Sequence, residues 1–223
     1  MRSHFASVVF DADSTLAAIE GIDWLGALRG ESVGQVIREL TDSAMAGQLP
    51  LEQVYAARLE AIKPTRSEIE QLSAAYIASI EPGATALIAT LQAAGVNVAI
   101  VSGGLRDALL PMAELLGVPA SSVFAVDLEF DDGGRYVSLR SSQRLSQQDG
   151  KPRVVRALYL PGPSVMIGDG STDALVRGHT DKFYAYSGVV RRPVIVATAD
   201  AEARSFAELG ALLLARDVSS ARA

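Results

Sequence analysis

Short apolar runs alternate with longer stretches in which apolar positions recur every three or four residues. The short runs are Ser7–Phe10 and residues 96–101, 164–167 and 194–197, all rich in β-branched side chains. Runs of this kind between amphipathic segments predict buried parallel strands joined by crossover helices. Leu105, Leu109, Met112 and Leu116 fall on one stripe and predict a helix over 105–116. Pro82 suits the first turn of another helix, running to Leu91 and closed by Gly95. The alternation predicts an α/β fold with a Rossmann-like parallel sheet.

Residues 16–80 interrupt that alternation, because they hold no strand pattern. Leu51, Val54, Tyr55 and Ile62 define one helix, and Ile69, Leu72, Tyr76 and Ile80 define another, with a capping box expected at Ser67 and Glu70. A crossover needs only one helix, so this length of helical chain predicts a cap domain over residues 16–80, inserted into a core domain of residues 1–15 and 81–223. A smaller excursion spans 124–139, where Asp131-Asp132-Gly133-Gly134 between the strand-like runs 126–130 and 136–139 predicts a β-hairpin.

Composition narrows the function classes. At ~150 residues per domain, 223 residues fit one core with an insertion. A formal charge of −6 argues against a nucleic-acid partner, which would demand a basic face. No apolar run reaches the ~18–20 residues that span a bilayer, so no membrane partner is expected. There is no cysteine, hence no disulfide framework and no thiolate metal site. The opening Met-Arg-Ser-His-Phe leads into no sustained apolar region, so no secretory signal is expected and the cytoplasm is the expected setting. His4 and His179 and the Arg191-Arg192 pair are read as solvated or structural, Trp24 and Tyr76 as packing, and the tail after Leu214 as frayed.

Three of the strand-like runs end in polar clusters. Asp11-Ala12-Asp13-Ser14-Thr15 follows the first, Ser102-Gly103-Gly104 the second, and Gly168-Asp169-Gly170-Ser171-Thr172-Asp173 the third, with Lys151 opening a helical segment just before it. Ligands bind beyond the carboxyl ends of strands in open α/β sheets. A hydroxyl and small residues where a helix begins suit an anion. Four aspartates at one sheet edge repel unless a cation or shared protons compensate, and oxygen-only donors favour a hard ion such as magnesium.

The order Asp11-x-Asp13-Ser-Thr, Ser102-Gly-Gly, Lys151, Gly-Asp169-Gly-x-Thr-Asp173 resembles the haloacid dehalogenase superfamily of phosphohydrolases. Within it, Glu20-Gly-Ile-Asp23, Ala44-Met45 and Arg58-Leu59 resemble the phosphoserine-hydrolysing branch. The resemblance implies Asp11 as nucleophile, forming an aspartyl-phosphate, and Asp13 as general acid and base. It implies magnesium held by Asp11, the Asp13 carbonyl and Asp169, with Asp173 holding its waters. Ser102, Gly103, Gly104 and Lys151 would bind phosphoryl oxygens, and Glu20, Met45, Arg58 and Thr172 the rest of O-phospho-L-serine. Departures from the pattern are Ala46 before Gly47, Pro152 after Lys151, and the aromatic stretch 183–190.

Arg58 also speaks without the resemblance. It falls near the centre of the apolar arc of Leu51, Val54, Tyr55 and Ile62, where a guanidinium needs a carboxylate or other bidentate acceptor. Three arrangements stand: Arg58 and Glu20 read the carboxylate and ammonium of an amino acid, Arg58 is held in an internal salt bridge (with Glu20 the natural partner), or it snorkels to water. The expected partner is a small phosphate ester. Alternatives are a phosphatase or phosphotransferase for another ester, or a phosphoacceptor module of the response-regulator type, which lacks a helical insertion of this kind.

Overall fold

The computed structural model describes residues 2–46, 48–140 and 144–215, with Met45 and Ala215 described by their backbone alone. The chain begins with β1 (Arg2–Ser3), β2 (Ser7–Phe10), α1 (Gly21–Ala27), α2 (Glu31–Met45), α3 (Leu51–Ile62), α4 (Arg66–Ala78) and α5 (Ala84–Ala93). Next come β3 (Asn97–Leu105), α6 (Arg106–Leu115), β4 (Val123–Val126), β5 (Leu128–Phe130) and β6 (Tyr136–Leu139). It ends with α7 (Gly150–Ala157), β7 (Ser164–Gly168), α8 (Ser171–Ala174), β8 (Lys182–Tyr186), α9 (Pro193–Val196), β9 (Ala201–Ala203), α10 (Phe206–Leu213) and β10 (Leu214–Ala215).

Six strands pair in the order β4-β3-β2-β7-β8-β9, all parallel. Every residue of β2 is buried, as a strand covered on both faces requires. Full burial of side chains such as Val8, Val9 and Phe10 contributes roughly 1.5–3 kcal/mol each. Strands β3 and β7 flank β2, and Phe10 is level with both Ile100 and Ile167. The carboxyl ends carrying the three polar clusters therefore open side by side. Helix α6 buries Leu109 and Met112 against the sheet, as its stripe predicts.

Helices α1 to α4 all lie between β2 and α5, in agreement with a strand-free stretch there. The chain leaves and returns at one place: Ala17 and Ile80 form an antiparallel bridge, Ala18 N donates to Ser79 O at 2.8 Å, and Glu81 N to Leu16 O at 2.9 Å. Strands β5 and β6 form the antiparallel hairpin expected from the Asp-Asp-Gly-Gly turn. Among the described residues no helix is long and apolar enough to cross a membrane.

Four local expectations are corrected. The run 194–197 falls on helix α9 and its C-cap Ala197 rather than on a strand, because Pro193 occupies the first helical turn after an extended Arg192. The strand in that part of the sheet is β8, from the aromatic stretch Lys182–Tyr186. The capping box uses Thr65 and Glu68, two residues before the expected pair, with Glu68 N donating to Thr65 Oγ1 at 3.3 Å and Thr65 N to Glu68 Oε2 at 2.8 Å. Finally, β3 continues through Ser102-Gly103-Gly104 to Leu105, so this segment is extended strand and α6 begins only at Arg106.

Candidate active site

Asp11 follows β2 directly, and its backbone amide donates to Ile167 O at 2.9 Å, which keeps it in the sheet. Its Oδ1 accepts from Ala12 N at 2.8 Å and lies 2.8 Å from Lys151 Nζ. Asp169 follows β7, and Asp173 stands four residues on, in α8. Asp11, Asp169 and Asp173 are all buried, and each offers a carboxylate oxygen within 4.8 Å of the others. Close approach needs Gly168: a Cβ there would lie 2.2 Å from Asp173 Cγ. Gly150, just before Lys151, lets the backbone of Arg144 pack against the start of α7, since a Cβ there would meet Arg144 O at 2.0 Å.

Charge shapes this cluster. Burial pushes the Asp173 carboxyl up to about 7, with Asp11 adding to the rise and Lys151 and the Gly170 amide opposing it. For Lys151 burial works downward, but the carboxylates of Asp11 and Asp173 outweigh it and hold the ammonium above its ordinary value. Lys151 Nζ donates to Asp173 Oδ1 at 2.6 Å. Three buried carboxylates converge on one another, with oxygen donors alone, and this arrangement fits a hard metal cation.

Asp13 points elsewhere. The turn that carries it passes through Ser14 at φ 51, and its Oδ1 accepts from Tyr76 Oη at 2.5 Å and from Gly21 N at 2.9 Å. Burial, and then the neighbouring Asp11, raise its carboxyl to about 6 against the pull of these two donors and Lys151. Ser102 is fully buried, and its Oγ accepts from Gly104 N at 3.0 Å. The Gly103 carbonyl takes the Tyr55 hydroxyl at 2.7 Å. Any anion contact here comes from a strand end and not from a helix N-terminus.

The insert supplies the other wall of the same cavity, which Asp11, Asp13, Glu20, Tyr55, Arg58, Gly103, Lys151, Asp169 and Thr172 all line. Arg58 is buried, and its Nη1 donates to Thr41 Oγ1 at 2.5 Å, a hydroxyl that in turn bonds Asp23. Arg58 Nε has no hydrogen-bond partner among the described residues. Glu20 accepts from Ser14 Oγ at 2.7 Å. Burial, with Asp13 and Asp23 nearby, raises its carboxyl to about 8 against Ser14 and Arg192. Among the described residues no ion pair joins Glu20 to Arg58, so the mutual-pair arrangement is not the one adopted. The Met45 side chain and Gly47 lie outside the described residues.

One reading is overturned. Arg191 is exposed and pairs with Glu202, but Arg192 turns inward, its side chain 10% exposed, to ion-pair with Asp169 and approach Glu20 at 3.9 Å. A pair of adjacent arginines gives no periodic signal. What would have revealed Arg192 is its place after the carboxyl end of β8, at the same sheet edge as the aspartates. Tyr76 is buried as expected, but its hydroxyl, on Asp13, was missed.

The profile of the haloacid dehalogenase-like hydrolases matches residues 8–175, most of the chain. The chain is a haloacid dehalogenase-like hydrolase. Among relatives of this hydrolase, the chloroplastic phosphoserine phosphatase of Arabidopsis thaliana is 36% identical over 87% of the chain and 67% of that protein. The phosphoserine phosphatase of Bos taurus is 34% identical over 95% of the chain and 96% of its own length. A solved structure of a phosphoserine phosphohydrolase-like protein from Francisella tularensis superimposes with a TM-score of 0.86 at 26% identity, covering 96% of this chain and all of that one. The hydrolase therefore stands in the phosphoric monoester hydrolase group.

Proposed function

We propose that the protein hydrolyses O-phospho-L-serine to L-serine and phosphate through an aspartyl-phosphate on Asp11, with magnesium as its metal. The observation that carries the reading is one cavity whose lining brings Asp11, Lys151 and Asp169 together with Arg58 and Glu20. The names of its relatives support the same substrate.

In the first step an Asp11 carboxylate oxygen attacks phosphorus, the bond from phosphorus to the seryl oxygen breaks, and Asp13 gives its proton to the departing alkoxide. In the second, water attacks phosphorus, the bond to Asp11 breaks, and Asp13 takes the proton. A carboxyl raised to about 6 suits both roles near neutral pH. Lys151, Ser102 and the Gly103 amide bind phosphoryl oxygens, and the Gly104 amide joins them by leaving Ser102 Oγ, to which it donates in the free protein. Asp11, Asp169 and the Asp13 carbonyl would hold the magnesium and Asp173 its waters, and the ion supplies charge neutralisation at the transferring phosphoryl group. Arg58 takes the substrate carboxylate, Glu20 the ammonium, and Thr172 and Met45 line the pocket. The Glu20 carboxyl, raised to about 8 even with Arg192 nearby, ionises more readily once the substrate ammonium sits beside it.

To admit substrate to this cavity, residues 16–80 move as a cap on a core of residues 1–15 and 81–223. Opening breaks the bonds from Tyr55 to Gly103, from Leu51 N to Gln148 Oε1 at 3.1 Å, and from Ser171 Oγ to Ala44 O at 3.0 Å. Turnover on a panel of phosphate monoesters tests the substrate: phosphoserine is expected to have the highest kcat/KM, and a place near the bottom would overturn the assignment.

A further inference from the structure

Tyr76 is a fully buried polar side chain that the reaction above leaves unused. It sits on the inner face of α4, with Ile69 and Leu72, and its ring could be held there by packing alone. Its hydroxyl, however, reaches Asp13 Oδ1 at 2.5 Å, beside the Gly21 amide at 2.9 Å on the same oxygen. Two glycines make the room: a Cβ on Gly21 would lie 2.1 Å from Tyr76 Oη, and one on Gly104 would lie 3.2 Å from Oη and 2.9 Å from Asp13 Oδ2. Oδ1 thus receives two donors, while among the described residues no hydrogen bond is made to Oδ2.

A carboxylic acid carries its proton on one oxygen, and donors aimed at the other oxygen select which. A phenol is protonated at neutral pH and offers Asp13 a donor. We propose that Tyr76 is a positioning residue for proton transfer, pinning Asp13 Oδ1 together with the Gly21 amide so that Oδ2 is the oxygen that delivers the proton to the leaving alkoxide. This rests on the assignment of Asp13 as acid and base. In the step concerned, the Oδ2–H bond breaks as the seryl O–H bond forms, and the negative charge left on the carboxylate is stabilised at Oδ1 by the two donors.

The test compares an ester that needs a proton with one that does not. Tyr76→Phe keeps the ring and removes the hydroxyl. For phosphoserine, with a poor alkoxide leaving group, kcat/KM should fall about tenfold, the effect of losing one hydrogen bond to a charged group. For p-nitrophenyl phosphate, whose phenolate leaves unaided, kcat/KM should stay within about twofold, since this group needs no general acid. Equal losses on both esters, or none on either, would overturn the proposal. Asp13→Asn, measured on the same two esters, separates the layers. If Asp13→Asn discriminates between them and Tyr76→Phe does not, the positioning role fails alone; if Asp13→Asn does not discriminate, the acid–base assignment fails first and the positioning role with it. Should Tyr76→Phe not fold, 3-fluorotyrosine placed at position 76 keeps the ring and hydroxyl while changing the donor's acidity; a change in kcat/KM confined to phosphoserine is expected, and an unchanged ratio of the two esters would overturn the proposal.

Discussion

The Lys151 ammonium lies 2.8 Å from Asp11 Oδ1, with both side chains more than nine-tenths buried. Because Asp173 shares the same ammonium at 2.6 Å, removing it strands two carboxylates in a poorly solvated site. Breaking a buried pair in this way costs about 3–5 kcal/mol. Lys151→Ala is therefore expected to lower unfolding free energy by that amount in urea melts of metal-free protein. A cost of under about 1 kcal/mol, typical of exposed pairs, would contradict the assigned burial and pairing.

The carboxylate cluster of Asp11, Asp169 and Asp173 should respond to a cation directly. Ligands that bind only the folded state raise its stability by mass action. Magnesium should raise the Tm of the wild-type protein and not that of Asp169→Asn, and a chelator should stop turnover reversibly. An identical Tm rise in both proteins would place the ion elsewhere.

Metal-free protein should lose stability as pH rises. Folding raises Asp13 from 3.8 to about 6, Asp173 from 3.8 to about 7 and Glu20 from 4.5 to about 8, burial being the largest cause in each case. Above the ordinary carboxylate range the folded chain keeps protons that the unfolded chain has released. The stability linked to these groups is fully present below that range and disappears as pH passes through the raised values. The slope is about 1.4 kcal/mol per pH unit for each extra proton held. Urea melts in a series from about pH 4 to about pH 8 measure it; a flat or rising profile would contradict the raised values.

Arg58 is held by Thr41, and among the described residues its Nε has no hydrogen-bond partner. Truncating one partner of a buried charge pair costs 2–5 kcal/mol. Arg58→Ala should therefore raise KM for phosphoserine by on the order of 10²-fold and leave KM for p-nitrophenyl phosphate, which has no carboxylate, nearly unchanged. Equal effects on both would mean that Arg58 shapes the cap and does not read the substrate.

The parts of this fold legible in sequence are those set by local pattern. Ser7–Phe10 follows from continuous burial on both faces of the sheet, the α6 stripe from burial on a helical period, and the insertion from the lack of any strand pattern. The Asp11, Asp169 and Asp173 convergence could be anticipated because strand ends share an edge once the sheet is parallel. Arg192 and the Tyr76 hydroxyl could not, since both depend on which strands neighbour one another and on what glycines leave open. The misread run at 194–197 shows the same limit: β-branched residues signal a strand, but Pro193 before them starts a helix, and the sheet takes the aromatic Lys182–Tyr186 instead.

The central claim is that Asp11 becomes covalently phosphorylated during each turnover, and acid quenching followed by peptide mass spectrometry tests it most directly. With phosphoserine and magnesium, the account predicts one phosphoryl group on Asp11, absent in an Asp11→Asn protein that has lost at least on the order of 10⁴ in rate. An unmodified Asp11 peptide throughout rapid turnover, or an Asp11→Asn protein of near-normal activity, would contradict it.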